Sequence, residues 1–375
     1  MANILVLGGG FSGVVAAERL AKKLGPEHQI TLVSRSDRFV FYPALVRLAF
    51  GRAEPDDISY DLREAMLDRR VRFIEADVAH IDPTRRHVEI TGVEMEGMLS
   101  YDYLICALGR RLATDEIPGF FEYSQHLLSV EAALKFGEAI RDFQSGNAVV
   151  GCCPGSRLPI PALETVFALA RLLDERGNRD SAKITLVSHE PLSDLLGDAE
   201  LAKVMRNELT AHQIEFLSDF PICRVAAGTV QTKNNHYLKY DLLMLVPPFE
   251  GTSAVKGTGL TDEDDYLYVD SCMRVRSVER IYAVGDCVAF SGPKMGHMAV
   301  KQAEVAADNI ITELEGHAPK EEYDHEMMFV VDAGGRDSIY FYKNVWAGDQ
   351  ATVRQGRFWG WAKRVQEKYW EAEHS

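Results

Sequence analysis

The chain has 375 residues, with 41 Lys and Arg against 56 Asp and Glu and a formal net charge of −15. Hydrophobic residues make up 46% and charged residues 26%, which excludes a disordered chain. The acidic surplus argues against nucleic acid as a partner, because phosphate neutralisation needs clustered Lys and Arg.

At roughly 150 residues per domain, this length predicts two or three domains. A strand is expected over residues 3–7, and no basic n-region with an apolar h-region precedes it, so no leader is expected. No run of 18 or more apolar residues occurs, so no spanning helix is expected either. Gly8-Gly9-Gly10-Phe11-Ser12-Gly13 follows this strand and opens a predicted helix over 14–23, with a second strand over 29–34. That is GxGxxG in the βαβ context that gives it meaning. Gly8 permits the tight turn, Gly10 lets backbone approach a pyrophosphate, and Gly13 allows close helix–strand packing. The helix N-terminus adds positive dipole. A merely tight βα turn is the bland alternative. The acid that binds an adenosine ribose should stand about 20 residues further on. Ser34 stands there, followed by Arg35. A hydroxyl can hydrogen-bond a ribose, though the match is imperfect.

Short strands are predicted over 71–75 and 103–107. A second strand–helix–strand block is predicted as a strand over 148–151, a helix over 163–176 and a strand over 183–187. A helix over 199–212 and a strand over 242–246 complete it. A strand over 281–284 and a helix over 298–315 follow. The fold class expected is α/β, with two tandem Rossmann-like dinucleotide-binding domains and a small C-terminal module. The divisions are 1–110 with 255–320 for the first domain, 111–254 for the second and 321–375 for the module.

The strand ending in Gly285-Asp286, together with the N-terminal cradle, resembles FAD-containing members of the pyridine nucleotide–disulfide oxidoreductase superfamily. Val246-Pro247-Pro248-Phe249 and Pro293-Lys294-Met295-Gly296-His297 are similar to the sulfide:quinone oxidoreductase and flavocytochrome c sulfide dehydrogenase branch, close to type II NADH dehydrogenases. The resemblance implies FAD as cofactor, with Asp286 bonding the ribityl chain beside Gly285. It implies that Ala76-Asp77-Val78 line the adenine pocket and that Ala107-Leu108-Gly109 cross near the pyrophosphate. Pro43 would lie in the segment approaching the isoalloxazine. Gly296, His297 and Met298 would open a helix facing the flavin, where N–H dipoles stabilise developing negative charge.

The same resemblance exposes departures. The branch needs two redox thiols beside the flavin. Leu158 occupies the position of the first, and the stretch from Phe329 to Gly335 has no cysteine for the second. Sulfide oxidation by that mechanism is therefore not expected. Cys152-Cys153 reads as buried packing at a strand end, with a displaced redox pair as the alternative. The six cysteines offer no CxxC or His-paired spacing, so no metal site is expected. In the second block Gly151-Cys152-Cys153-Pro154-Gly155-Ser156 keeps only the end glycines, and Glu190 is a displaced ribose ligand, so a nicotinamide site looks degraded. Glu164 matches a helix glutamate of the quinone-reducing branches, and Lys294 matches a lysine before the flavin-facing helix. Both are candidate proton-handling residues. Their bland readings are a surface charge and a loop base.

Arg354, Arg357, Phe358, Trp359, Trp361, Lys363, Arg364, Lys368, Tyr369 and Trp370 crowd the tail. Bases with large aromatics suit an interfacial helix at an anionic membrane, and equally a helix docked on the protein or on a homodimer partner. The expected location is cytoplasmic, peripheral on the inner face of the cell membrane if the tail binds lipid. Three functions remain open: FAD-dependent transfer from an unidentified donor to a quinone, NAD(P)H dehydrogenation, and flavin binding without the ancestral catalysis.

Overall fold

A computed structural model describes every residue except Ser291, Gly335, Arg336 and Asp349. The chain begins β1 (Asn3–Leu7), α1 (Phe11–Lys23), β2 (Gln29–Ser34), then adds β3 (Arg72–Glu75) and β4 (Tyr103–Cys106). A second block runs β5 (Gly146–Cys152), α2 (Ile160–Arg176), β6 (Ala182–Ser188), α3 (Ala199–Ala211), β7 (Ile214–Leu217) and β8 (Leu242–Val246). Next come β9 (Ile281–Ala283) and α4 (Gly296–Leu314), and a tail of β10 (Glu326–Asp332), β11 (Ser338–Asn344), β12 (Thr352–Gln355) and α5 (Arg357–His374).

The first sheet is parallel in the order β9-β4-β1-β2-β3, and the second is parallel in the order β7-β6-β5-β8. Ile4 to Leu7 and Tyr103 to Cys106 are buried throughout, as expected for strands covered by helices on both faces. Strand β9 joins this sheet from far along the chain, so the Gly285-Asp286 turn ends up beside the Gly8–Gly13 turn. Helices α1 and α4 pack together through small residues, among them Ala16 and Ala17 on α1 and Ala303, Ala306 and Ala307 on α4, all buried. Arg19 locks the pair by a two-pronged bond to Asp308, at 2.7 Å for each nitrogen.

The fold class is as the sequence led us to expect, with different element edges. Helix α2 starts at Ile160, not 163, because Pro161 is tolerated in a first turn, where no N–H is needed. Helix α4 starts at Gly296, not 298, and α1 at Phe11, not 14. Two antiparallel three-stranded sheets were not foreseen, over 77–100 and over 222–239. Their short, half-exposed strands carry little periodic signal. The tail is a third antiparallel sheet, β10-β11-β12, with α5 lying over it.

Candidate functional site

The β1–α1 turn is shaped by two glycines that admit no side chain and one that leaves room. At Gly8 φ is +111°, and a Cβ would lie 2.2 Å from the Ala107 carbonyl oxygen. At Gly13 a Cβ would lie 1.7 Å from the Gly8 oxygen. At Gly10 a Cβ would meet nothing within 4 Å. Close packing therefore fixes Gly8 and Gly13, while Gly10 borders open space at the start of α1. Neither α1 nor α4 is capped by a side chain, so both helix starts present N–H groups. Gly285 has φ +77°, and a Cβ there would lie 2.7 Å from the Ser12 hydroxyl oxygen. Its N–H donates to Gln302 Oε1 at 2.7 Å, which anchors the turn to α4. Asp286 follows, paired with Arg110 at 3.2 Å. Ala107 and Leu108 pass beneath, and Gly109 turns away at φ +68°. Open space at Gly10 with a carboxylate nearby fits a dinucleotide pyrophosphate and its polyol.

Of the other expected residues, Ser34 borders the turn: a Cβ on Gly9 would lie 2.6 Å from its hydroxyl oxygen. Ser34 is buried, but its hydroxyl donates to the Ser36 carbonyl at 2.8 Å and accepts from the Ser36 N–H at 3.4 Å. Arg35 is exposed, as are Pro43, in a short turn over Tyr42–Ala44, and Asp77, while Val78 is half-buried. His297 lies 2.8 Å from Glu326 on β10, so it ties α4 to the tail sheet. Met298 is buried. Phe11 stands between the two helix starts and packs on Phe39, Phe41 and Trp370, the last at a centroid separation of 4.8 Å.

The adjacent thiols Cys152 and Cys153 are placed against redox work. Leu158 is half-buried in the loop before α2, and Phe329 to Val331 lie in β10, whereas Gly335 lies outside the described residues. Cys152 and Cys153 are fully buried. Burial pushes the Cys152 thiol up to about 12 and raises that of Cys153 as well. A reactive thiolate needs the opposite surroundings. Sulfide is accordingly expected to bleach the flavin only slowly, with Cys153→Ser no different from wild type. Rapid-mixing absorbance would show this, and fast bleaching abolished in that variant would make the pair catalytic after all. Nor is the second βα turn built like the first. Three residues, Gly8–Gly10, separate β1 from α1, whereas seven, Cys153–Pro159, separate β5 from α2. The loop before the second helix is thus four residues longer than the first cradle.

Glu164 and Lys294 are both buried, contrary to their bland readings. Burial raises the Glu164 pKa, and Lys363 opposes that rise from 2.6 Å. The Asp332 N–H also donates to Glu164 at 2.9 Å. Lys363 belongs to α5, so the tail delivers a cation to the glutamate. The sequence marked the tail as basic and aromatic without showing which base turns inward. In the structure one face of α5 is held down by stacking of Trp359 on Tyr340 at 4.2 Å, by Lys363, by the Glu367 pair with Arg47, by Trp370 and by the His374 pair with Glu18. The opposite face exposes Phe358, Trp361, Val365 and Tyr369. The tail is therefore docked on the protein and also presents an apolar stripe. No described helix is long and apolar enough to cross a membrane.

Residues 2–303 match the family model described as pyridine nucleotide-disulphide oxidoreductase. The chain is 24% identical over 392 residues to a sulfide-quinone reductase of Aquifex aeolicus, covering 98% of this chain and 90% of that protein. It is 25% identical to a type II NADH:quinone oxidoreductase of Staphylococcus saprophyticus, covering 90% and 89%. The solved structure of the sulfide:quinone oxidoreductase from Aquifex aeolicus superposes with a TM-score of 0.90 at 23% identity, over 100% of this chain and 91% of that one. NDH2 from Plasmodium falciparum, solved with NADH, gives 0.73 at 15% identity over 97% and 93%.

Proposed function

Because the chain belongs to the pyridine nucleotide-disulphide oxidoreductase family and is an FAD-dependent oxidoreductase without that family's redox cysteine pair, we propose that it passes electrons to a quinone at a membrane surface. FAD, when bound, supplies the two-electron exchange. Gly8, Gly10 and Gly13 would cradle its pyrophosphate, Asp286 its ribityl hydroxyls, and the start of α4 its ring.

The observation that carries the reading is the ion pair of buried Glu164 with half-buried Lys363 on α5. A quinone takes up two protons with its two electrons. A carboxyl whose pKa burial raises, against the opposing pull of Lys363 and the Asp332 N–H, is placed to hold a proton and release it to a quinone oxygen. Lys363 sets the carboxylate's position and charge, and the Asp332 N–H fixes the same oxygen. The relatives named as quinone reductases support the acceptor class.

The outer face of α5 gives the quinone a route. Phe358, Trp361, Val365 and Tyr369 lie along one stripe, with Arg364 and Lys368 also exposed. Aromatic rings at an interface with bases on headgroups is the pattern of an in-plane helix. Each base near an anionic surface contributes about 1 kcal/mol. Co-sedimentation with anionic phospholipid vesicles tests this. Wild type is expected to pellet, and Trp361→Glu with Tyr369→Glu to stay in the supernatant with its fold intact. Equal partitioning of both would reject membrane docking. Reoxidation of chemically reduced protein by a soluble quinone tests the acceptor, and no quinone-dependent recovery of flavin absorbance would reject it.

A further inference from the structure

Helix α5 spans 18 residues, yet His374 is the only one of them that is buried. Charge holds it to the body of the protein. Lys363 pairs with Glu164 on α2, Glu367 with Arg47 on the short helix Leu45–Ala49, and His374 with Glu18 on α1. Arg69 joins the last pair, with its Nε 2.9 Å from Glu18, and donates to the Glu373 carbonyl at 2.7 Å. Two rings supply the apolar contact. Trp359 stacks on Tyr340 in the tail sheet, whereas Trp370 reaches the core of the first domain.

Trp370 lies against Phe11, the residue after Gly10. A Cβ on Gly296 would lie 3.5 Å from the Phe11 ring, so that ring bridges the starts of α1 and α4. Trp370 covers it at 4.8 Å and stacks on Phe39 at 5.7 Å, while Tyr60 stacks on Phe39 at 4.8 Å. The last turns of α5 thus close one side of the cleft between the two helix starts. The helix is also built to leave. Its charged groups regain water on release, and regions with few buried apolar contacts open far below the free energy of global unfolding. At its other end Gly356 has φ +148°, a Cβ there would meet nothing within 4 Å, and no side chain caps the helix. The Gly356 N–H donates to the Ser338 carbonyl at 3.0 Å, which fixes this pivot to β11.

We propose that α5 is a hinged strap over the FAD cleft. Docked, with Trp370 on Phe11, it retains the dinucleotide. Swung out about Gly356, it opens the path by which FAD enters and leaves. A lid that must open in both directions gates uptake and release together. A side chain that only stabilised the bound state would slow release and leave uptake unchanged. Closure also delivers Lys363 to Glu164, so retention of the cofactor and completion of that ion pair are one event. The strap is a use of the inner face of α5, separate from the membrane contact of its outer face. It rests only on FAD lying at the glycine cradle.

The test is the kinetics of FAD exchange, read by flavin fluorescence: release from the loaded protein after dilution, and uptake by the apoprotein. Trp370→Ala is expected to speed both by about tenfold, because the ring contact it removes exists only in the closed form. Glu367→Gln combined with His374→Gln is expected to speed both as well, by removing two of the ion pairs. Trp361→Ala, on the outer face, is expected to match wild type. The apoprotein melting temperature reports whether each variant is folded. The double variant leaves both inner tryptophans in place and keeps the test informative if Trp370→Ala does not fold. Wild-type exchange rates in either folded variant, faster release with unchanged uptake, or equal acceleration by Trp361→Ala would each overturn the proposal. No electron donor or acceptor is present, so the outcome is independent of whether quinone is reduced.

Discussion

Replacing Gly10 with valine is expected to give a folded protein that carries no flavin. The backbone there is extended, at φ −86° and ψ −170°, which a β-branched residue adopts readily. A Cβ at this position meets nothing within 4 Å, so the fold itself loses nothing. The space it fills is where the pyrophosphate must approach the backbone. Intruding atoms in a close-packed site cost about 1–3 kcal/mol where neighbours can shift, and a cradled pyrophosphate cannot, so FAD affinity should fall by on the order of a hundredfold or more. The contrast is Gly13→Val, whose Cβ would stand 1.7 Å from the Gly8 oxygen. That variant should fail to fold, because backbone would have to move. Flavin absorbance and the melting temperature of the apoprotein separate the two outcomes. A yellow Gly10→Val protein would show that the dinucleotide does not lie in this turn.

The second large effect concerns proton delivery. Glu164→Gln keeps an oxygen to accept the Asp332 N–H, so the local structure should survive. It removes the only titratable function of that side chain. Quinone-dependent reoxidation should slow by about 10²–10⁴, the usual contribution of a positioned general acid. Bleaching by a chemical reductant should be unchanged. Lys363→Met acts differently. Without the ammonium, nothing of comparable strength offsets burial, and the Glu164 pKa must rise further. The limb of the pH–rate profile that reports this group should then move to higher pH. The double variant should be little slower than Glu164→Gln alone, since both act through one proton path. Equal reoxidation rates for wild type and Glu164→Gln would remove Glu164 from the mechanism, and an unmoved pH profile in Lys363→Met would reduce that lysine to a structural pin.

The glycine cradle, the βαβ unit around it and the class of fold were legible in the sequence because they depend on local order. A strand, three glycines in register and a helix are contiguous, and backbone sterics alone fix what each glycine is for. The missing thiols were legible too, since Leu158 and Phe329–Val331 are simply not cysteine. Depth and partnership were hidden. Glu164 and Lys363 are 199 positions apart and meet only because α5 folds back over β10 and α2. Of the bases in the tail, only packing decided that Lys363 and not Arg364 turns inward, because a helix places neighbours about 100° apart and the sequence does not say which face has a partner. The same holds for Lys294. Its sequence neighbours read as a loop, and its burial comes from Tyr266, Val288 and the β5–α2 loop, all brought together by the return of β9 to the first sheet.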